Sequence, residues 1–238
     1  MNKKLKITLK VIAITVIVFV IQTISYFVIA EYFGNLFGIE NTLNFQLPVD
    51  KITPWFTPLF AIYIPWVWIW FIVIPLIIYL ANGEKGFYEY NVISLFMYIV
   101  GTIIYMLIPT TTTPRDFIDG TIQILSSDAT FYSVINELSV SGHNIWGSFP
   151  SYHNFWASLF IFFALKKNVK WFYRYMMLTL GGLISLSTLT LHQHCLMDVV
   201  MTYVMTGIFF HLMNKYDLAI RFEEFLNRVF RIKLDIIG

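Results

Sequence analysis

Six long apolar stretches follow one another along the chain, and each is long enough, or nearly so, to cross a lipid bilayer as a helix. A bilayer core about 30 Å thick requires roughly 20 apolar helical residues. The stretches lie at residues 7–30, 57–81, 90–109, 151–166, 172–192 and 194–214. This pattern predicts an all-α integral membrane protein of six transmembrane helices, folded as a single domain over residues 1–238.

The composition agrees with a protein surrounded by lipid. The chain is 58% hydrophobic and only 13% charged, whereas a soluble domain is about half apolar and about a quarter charged. Aromatic residues make up 18% of the chain, which provides Trp and Tyr for the membrane interfaces. We therefore expect a membrane as the protein's surroundings and no nucleic-acid partner.

The first apolar stretch could be a signal peptide or a retained helix. It covers about residues 7–30, whereas the apolar region of a signal peptide usually has about 7–15 residues. The sequence EYFGNLF follows it without a small-residue cleavage site. The stretch is therefore predicted to remain as the first membrane helix.

The positions of Lys and Arg predict the orientation, because cytoplasmic loops carry an excess of these residues. With six spans, four segments fall on one side: the N-terminus, residues 82–89, residues 166–174 and the C-terminal tail. These segments hold nearly all the cations, so both termini are predicted to be cytoplasmic. The outer segments, 31–56, 110–150 and 192–194, contain only Lys51 and Arg115 as cations. The compact loops and the lack of a eukaryotic-type sorting tail favour a bacterial plasma membrane.

Two segments lie outside the predicted spans. The outer loop 110–150 is long, and loops of that length are usually functional or flexible. The tail 215–238 has apolar residues at helical spacing with Arg228 and Arg231 nearby. We predict an amphipathic helix on the cytoplasmic headgroups, with a binding site for a partner protein as the alternative.

Two histidines begin predicted spans that run in the same direction. His153 begins the fourth span and His194 begins the sixth, so both are expected at the outer membrane surface. Asp198 follows His194 by four residues and would share its helical face. A carboxylate on one imidazole nitrogen fixes the tautomer and leaves the other nitrogen as a lone-pair donor. A carboxylate within an apolar segment is itself a sign of function.

Pro150 indicates how the fourth helix begins, because proline suits the first turn. The N–H groups of Ser151, Tyr152 and His153 would then point out of the helix end, which is a place where anions such as phosphate bind. The Ser151 hydroxyl would add a donor.

These features resemble the type 2 phosphatidic acid phosphatase superfamily of integral-membrane phosphatases and phosphotransferases with six helices. Its second motif is Pro-Ser-Gly-His, and this chain has Pro150, Ser151, Tyr152 and His153. Its third motif is Ser-Arg, five residues, His, three residues and Asp. Here Ser187 and Thr188 are followed at those spacings by His194 and Asp198.

The resemblance implies phosphoryl transfer from a phosphorylated lipid, without a cofactor or a metal. His194 would attack phosphorus and become phosphorylated, Asp198 would support it, and His153 would protonate the leaving group. The expected phosphate-binding residues are Arg115, Ser151, Tyr152 and Thr188. A zinc site formed by His153, His192 and His194 is the alternative use of the histidines.

The chain departs from the family pattern in its cations. The first motif has Lys, six residues and Arg-Pro, but Arg115 is the sole cation at the corresponding place, and Thr188 replaces the arginine of the third motif. Phosphoryl transfer depends on charge neutralisation, and a diester with one negative charge needs less of it. Thr188 and the non-glycine Tyr152 also resemble the branch of inositol phosphorylceramide synthase and sphingomyelin synthase. A lipid phosphotransferase and a lipid phosphatase therefore both remain open.

Two other classes of function also remain open. A small transporter would line a path with its polar residues. A non-catalytic relative would bind a lipid without turning it over. The single cysteine, Cys195, is expected to pack as a small apolar side chain.

Overall fold

The computed structural model describes residues 3–38, 41–54, 56–63, 70–111 and 147–230. Within these residues all the main elements are helices, and the β-type pairing there is an isolated bridge between Leu43 and Thr110. The all-α prediction is therefore confirmed for this part of the chain. The helices are α1 (Lys3–Ile24), α2 (Glu31–Phe37), α3 (Phe60–Tyr63), α4 (Trp70–Leu107), α5 (Tyr152–Ala164), α6 (Trp171–Thr190), α7 (Leu196–Lys215) and α8 (Leu218–Phe230).

Among the residues that the structure describes, three helical stretches are long and apolar enough to cross a membrane: Ile12–Phe37, Ile72–Leu107 and Leu196–Lys215. Helices suit such a place because lipid offers the backbone no other hydrogen-bond partner. The chain is thus a membrane protein by the length and composition of these helices. The arrangement of six spans with both termini cytoplasmic stays a prediction.

α4 contains the end of the second predicted span, from Trp70 onward, together with most of the third. Residues 82–89 were expected to form a loop, but the helical assignment continues through them and is interrupted by Gly83, at φ 70° and ψ −168°. Glycine reaches a left-handed φ without steric cost because it has no Cβ. The break between two helices thus falls inside the predicted loop, but it is confined to Gly83, and the other residues of 82–89 are helical.

The first membrane helix contains a π-helical segment, Ser25–Ala30, between α1 and α2. Such segments often mark functional regions of helices. Ser25 and Ala30, at its two ends, are buried, while α1 and the π segment pack against α4.

α5 is the central helix of the core. Phe155, Phe160 and Phe163 are fully buried along it, and the helix packs chiefly against α6 and α7. Arg174 caps its C-terminal end, because Nε donates to the Ala164 carbonyl at 3.1 Å and Nη2 to the Lys166 carbonyl at 3.2 Å. Only the 13 residues Tyr152–Ala164 are helical, fewer than the predicted fourth span.

The end of the bundle opposite the histidines is held by charge and by aromatic packing. Lys166, which follows α5, forms a largely buried ion pair with Glu89 of α4. In the predicted amphipathic tail, α8 packs on α4 through Phe222 and Phe96, whose ring centroids lie 6.0 Å apart. Residues 231–238 of that tail, like residues 112–146 of the outer loop, lie outside the described residues.

Candidate active site

The two histidines singled out in the sequence lie side by side. The ring centroids of His153 and His194 are 5.7 Å apart. His153 belongs to the first turn of α5, and His194 to the turn that joins α6 to α7. Two helix beginnings therefore bring together side chains that are 41 positions apart in the chain.

The His194–Asp198 pair forms in a different way from the one predicted. α7 begins at Leu196 with Cys195 as its N-cap, so His194 precedes the helix and does not share a helical face with Asp198. Asp198 instead closes a capping box: its Oδ2 accepts the Cys195 N–H at 3.2 Å. The same Oδ2 lies 3.6 Å from Nδ1 of His194. A carboxylate in the first turn of a helix is also stabilised by the helix dipole.

The pair is buried and incompletely bonded. His194 is 5% exposed and Asp198 is 1% exposed. Within the part of the chain described, neither imidazole nitrogen of His194 has a hydrogen-bond partner. Buried polar atoms are usually satisfied, so such nitrogens call for an explanation. Asp198 lies beside Nδ1, so Nε2 is the nitrogen that this carboxylate does not contact.

The beginning of α5 offers fewer free N–H groups than predicted. Pro150 lies before the helix, and Ser151 is the N-cap. The Ser151 N–H donates to the Thr202 hydroxyl at 3.0 Å, so it is not open to an anion. The Ser151 Oγ accepts both the backbone N–H of Asn154, at 3.3 Å, and its Nδ2–H, at 2.9 Å. Among the described residues, no acceptor is assigned to the hydroxyl proton of Ser151, which is fully buried.

Thr188 takes part in the framework of the site. Its hydroxyl accepts from Asn154 Nδ2 at 3.0 Å and donates to the Ser185 carbonyl at 2.8 Å, which commits its proton. Its carbonyl accepts the N–H groups of Gln193 and His194, at 2.9 Å and 3.1 Å. Thr188 therefore shapes the turn that carries His194.

The hydroxyl of Tyr152 is directed to the first membrane helix. It lies 2.5 Å from Oγ of Ser25, which in turn lies 2.6 Å from the Thr102 hydroxyl of α4. The Tyr152 ring packs edge-on against Tyr98 at 4.8 Å. Tyr152 thus anchors the beginning of α5 to two other helices. Arg115, the remaining predicted phosphate ligand, lies outside the described residues.

Asp50 and Tyr63 contact the site but were not singled out in the sequence. Oδ1 of Asp50 accepts the Leu196 N–H at 2.7 Å, at the beginning of α7. The Tyr63 ring lies 5.2 Å from that of His153, and its hydroxyl donates to Oε1 of Gln193 at 3.2 Å. Neither residue lies in a recognisable motif, and both contacts join residues that are far apart in the chain.

The surroundings of the neighbouring His192 and Cys195 do not favour a catalytic role for either side chain. Burial lowers the pKa of His192 from its usual 6.5, while the charge of Asp50 opposes that shift. Burial raises the pKa of the Cys195 thiol well above its usual range, which disfavours a thiolate nucleophile. Among the described residues, no group of three or more His, Cys, Asp or Glu side chains is placed to hold a metal ion.

The family model of the PAP2 superfamily matches residues 36–212, a range that contains both histidines and Asp198. The match covers well over half of the chain, and the chain therefore belongs to the PAP2 superfamily. Membership indicates a lipid phosphoesterase of the phosphatase or phosphotransferase type. No curated protein and no solved structure matches the chain.

Proposed function

We propose that the protein hydrolyses or transfers the phosphate-containing headgroup of a membrane lipid through a phosphohistidine on His194. The observation that carries the proposal is the pair of imidazoles 5.7 Å apart, one of them with a buried carboxylate at its Nδ1. This is the arrangement of nucleophile, orienting group and general acid that covalent catalysis requires.

In the first step, the lone pair on Nε2 of His194 attacks phosphorus, and the bond from phosphorus to the leaving oxygen breaks. His153 gives a proton to that oxygen, so the lipid leaves as an alcohol. The Asp198 carboxylate, 3.6 Å from Nδ1 of His194, orients the ring and stabilises the positive charge that develops on it. His153 reaches solvent more readily than His194, which is consistent with its role in proton transfer.

In the second step, an acceptor hydroxyl attacks the phosphorus of the phosphohistidine. His153, now neutral, takes the proton of the acceptor, and the bond from phosphorus to Nε2 breaks. Water as acceptor makes the protein a phosphatase, and a lipid alcohol makes it a phosphotransferase. Either route restores both histidines to their starting forms.

For phosphate binding we propose Ser151 as a hydroxyl donor together with Arg115. The Ser151 hydroxyl donates to no acceptor in the part of the chain described, which supports its role, while Arg115 is proposed from the sequence alone. Thr188 and Tyr152 are proposed to hold the framework, because their hydroxyl groups are engaged by Ser185 and Ser25.

We propose that the site lies at the outer membrane surface. Hydrogen bonds between residues far apart in the chain support the outer side. Thr110 bonds to Phe149, Asp50 bonds to Leu196, and all four residues lie in or at the edge of predicted outer segments. At the other end, Glu89 pairs with Lys166, and both come from segments predicted to be cytoplasmic.

The test uses the purified protein in detergent with three substrates: phosphatidic acid, an isoprenoid pyrophosphate, and a phosphodiester lipid labelled in its headgroup and supplied with diacylglycerol or ceramide. Phosphate release and the formation of labelled new lipid are measured together. We expect His194→Ala and Asp198→Asn to abolish turnover, and His153→Ala to lower it by at least about 100-fold, the lower range of general acid–base catalysis.

His192→Ala and His211→Ala are the matched controls, because they remove histidines from the same turn and from the far end of α7. Both controls are expected to keep most of the activity. Turnover that survives in His194→Ala contradicts the proposal. Lipid binding without turnover on all three substrates favours a non-catalytic relative, and transport into sealed vesicles that persists in His194→Ala favours a transporter.

The products distinguish the two reactions. Release of phosphate from phosphatidic acid identifies a phosphatase. Transfer of the labelled headgroup without release identifies a phosphotransferase that acts on a diester, as the small number of cations in the sequence suggests. A label on the protein that is labile in acid and stable in base, and is absent from His194→Ala, identifies the phosphohistidine.

A further inference from the structure

Asp50 is a buried carboxylate for which the proposed reaction has no use. It is 8% exposed, and it lies in a short 3₁₀ helix, Pro48–Ile52, before the second membrane span. Its Oδ2 accepts the Leu47 N–H at 2.7 Å, so the 3₁₀ turn fixes the direction of the side chain. Burying a carboxylate costs free energy unless hydrogen bonds within the protein replace those it loses with water.

The second oxygen of Asp50 bonds to the helix that follows His194. Oδ1 accepts the Leu196 N–H at 2.7 Å across a separation of 146 residues. Leu196 is the first residue of α7, and its N–H is one of the groups that a helix cannot satisfy internally. Two carboxylates therefore hold the beginning of α7. Asp198 accepts the Cys195 N–H, and Asp50 accepts the Leu196 N–H.

Apart from Asp50, the turn that carries His194 is held by Tyr63, whose hydroxyl donates to Oε1 of Gln193 at 3.2 Å, and by its own neighbours. On its N-terminal side, the Thr188 carbonyl accepts the N–H groups of Gln193 and His194. On its C-terminal side, the bond from Cys195 to Asp198 is local. Asp50 thus supplies a lateral restraint from a distant segment, attached two residues beyond His194.

We propose that Asp50 is a positioning residue for His194. It holds the first turn of α7, so that Asp198 stays against Nδ1 and Nε2 keeps its direction toward the phosphorus of the substrate. The inference rests on the proposed function, because it assigns Asp50 a part in delivering the nucleophile. Asp50 does not touch the substrate, so its loss slows the step that His194 performs and leaves substrate binding in place.

The kinetic test compares Asp50→Ala with Asp50→Asn. Alanine removes both bonds, and we expect kcat to fall about 10–100-fold with KM unchanged within about twofold, since small displacements of reacting groups have effects of that size. Asparagine can still accept the Leu196 N–H through Oδ1, but its NH2 group cannot accept the Leu47 N–H, so it is expected to restore part of kcat. Thr53→Val is the matched control, because its hydroxyl donates to Val49 within the same segment and does not reach α7.

A spectroscopic test does not depend on turnover. In protein labelled with ¹⁵N-histidine, Asp50→Ala is expected to shift the ring resonances of His194 and to leave those of His211, near the other end of α7, unchanged. Unchanged His194 resonances overturn the inference, as does a wild-type kcat in Asp50→Ala. If the alanine variant does not fold, Asp50→Glu replaces it. The longer side chain of glutamate is expected to displace the beginning of α7 and to lower kcat. A wild-type kcat in Asp50→Glu would also overturn the inference.

The outcomes separate the inference from the function on which it rests. Loss of turnover in His194→Ala together with a wild-type kcat in Asp50→Ala removes the role of Asp50 and keeps the proposed function. Turnover that survives in His194→Ala removes both. Loss of kcat in Asp50→Ala without recovery in Asp50→Asn contradicts the assigned bond to Leu196.

Discussion

Two adjacent glycines in α6 provide a test of how closely the core is packed around the site. A Cβ at Gly181 would lie 2.8 Å from the carbonyl oxygen of Ala157 and 3.0 Å from Cγ1 of Ile161, both on α5. A Cβ at Gly182 would have no atom within 4 Å. The two positions share a helix and a local sequence, so Gly181→Ala and Gly182→Ala are matched to each other.

The expected difference follows from two opposing effects. Either substitution gains about 1 kcal/mol of helix propensity, and this gain cancels between the variants. Gly181→Ala also introduces an overlap with backbone, which a side chain's rotation cannot relieve, and overpacking of a core costs about 1–3 kcal/mol. Since 1 kcal/mol shifts the Tm of a chain of this size by about 2–4 °C, Gly181→Ala should melt about 2–12 °C below Gly182→Ala.

The assay uses Cys195, the chain's single cysteine, which is buried. A dye that fluoresces on reaction with thiols reports the temperature at which Cys195 becomes accessible, and both variants are heated at the same rate because the unfolding of such proteins is often irreversible. Displacement of α5 also moves His153, so Gly181→Ala should lose activity and Gly182→Ala should keep it. Equal melting temperatures in the two variants would refute the close approach of α5 and α6.

Three further predictions concern single contacts. Thr202→Val leaves the buried N–H of Ser151 without its acceptor and should cost about 1–3 kcal/mol of stability, as measured by the same melting assay, whereas Thr206→Val, whose hydroxyl bonds within its own helix, should cost less. Tyr63→Phe should change kcat less than twofold, because it keeps the ring that packs on His153. Tyr63→Ala removes that ring and should lower kcat further. Equal kcat values in the two variants would show that the ring does not position His153. Because burial lowers the pKa of His192, the unfolded chain takes up a proton below about pH 6.5 while the folded chain does not. Stability should therefore fall as the pH drops from 6.5 toward the lowered pKa, and a melting series should show a smaller fall in His192→Gln.

The sequence was informative where function depends on local spacing. The distances along the chain from Ser187 to His194 and Asp198, and from Pro150 to His153, suffice to select the residues that lie together. Even so, Asp198 reaches His194 as part of a helix cap and not across a helical face, because the helix begins two residues later than the apolar pattern indicates. Hydropathy locates apolar stretches well and helix ends poorly.

Apart from the pair of histidines, the contacts between distant segments left no trace that one sequence could show. Asp50 lies in an ordinary turn sequence, and only the fold brings it to Leu196. Asn154 and Thr202 resemble any polar residue near a helix end, yet they bond to Ser151 from two directions. The break at Gly83 lies inside the predicted loop 82–89, but its shortness was not predicted, because glycine and charged residues after an apolar stretch also suit a longer loop.

The wide separation of these residues has a consequence for the synthesis of the protein. The ribosome makes the chain from the N-terminus at about 5–20 residues per second, so Asp50 and Tyr63 are synthesised well before their partners exist. His153 arrives with α5, and its environment is closed only when His194 and Thr202 follow with α7. No early fragment can contain the site. Until α7 is made, the buried polar groups of the earlier helices need water or other temporary partners, and the enzyme becomes active only in the last stage of its insertion.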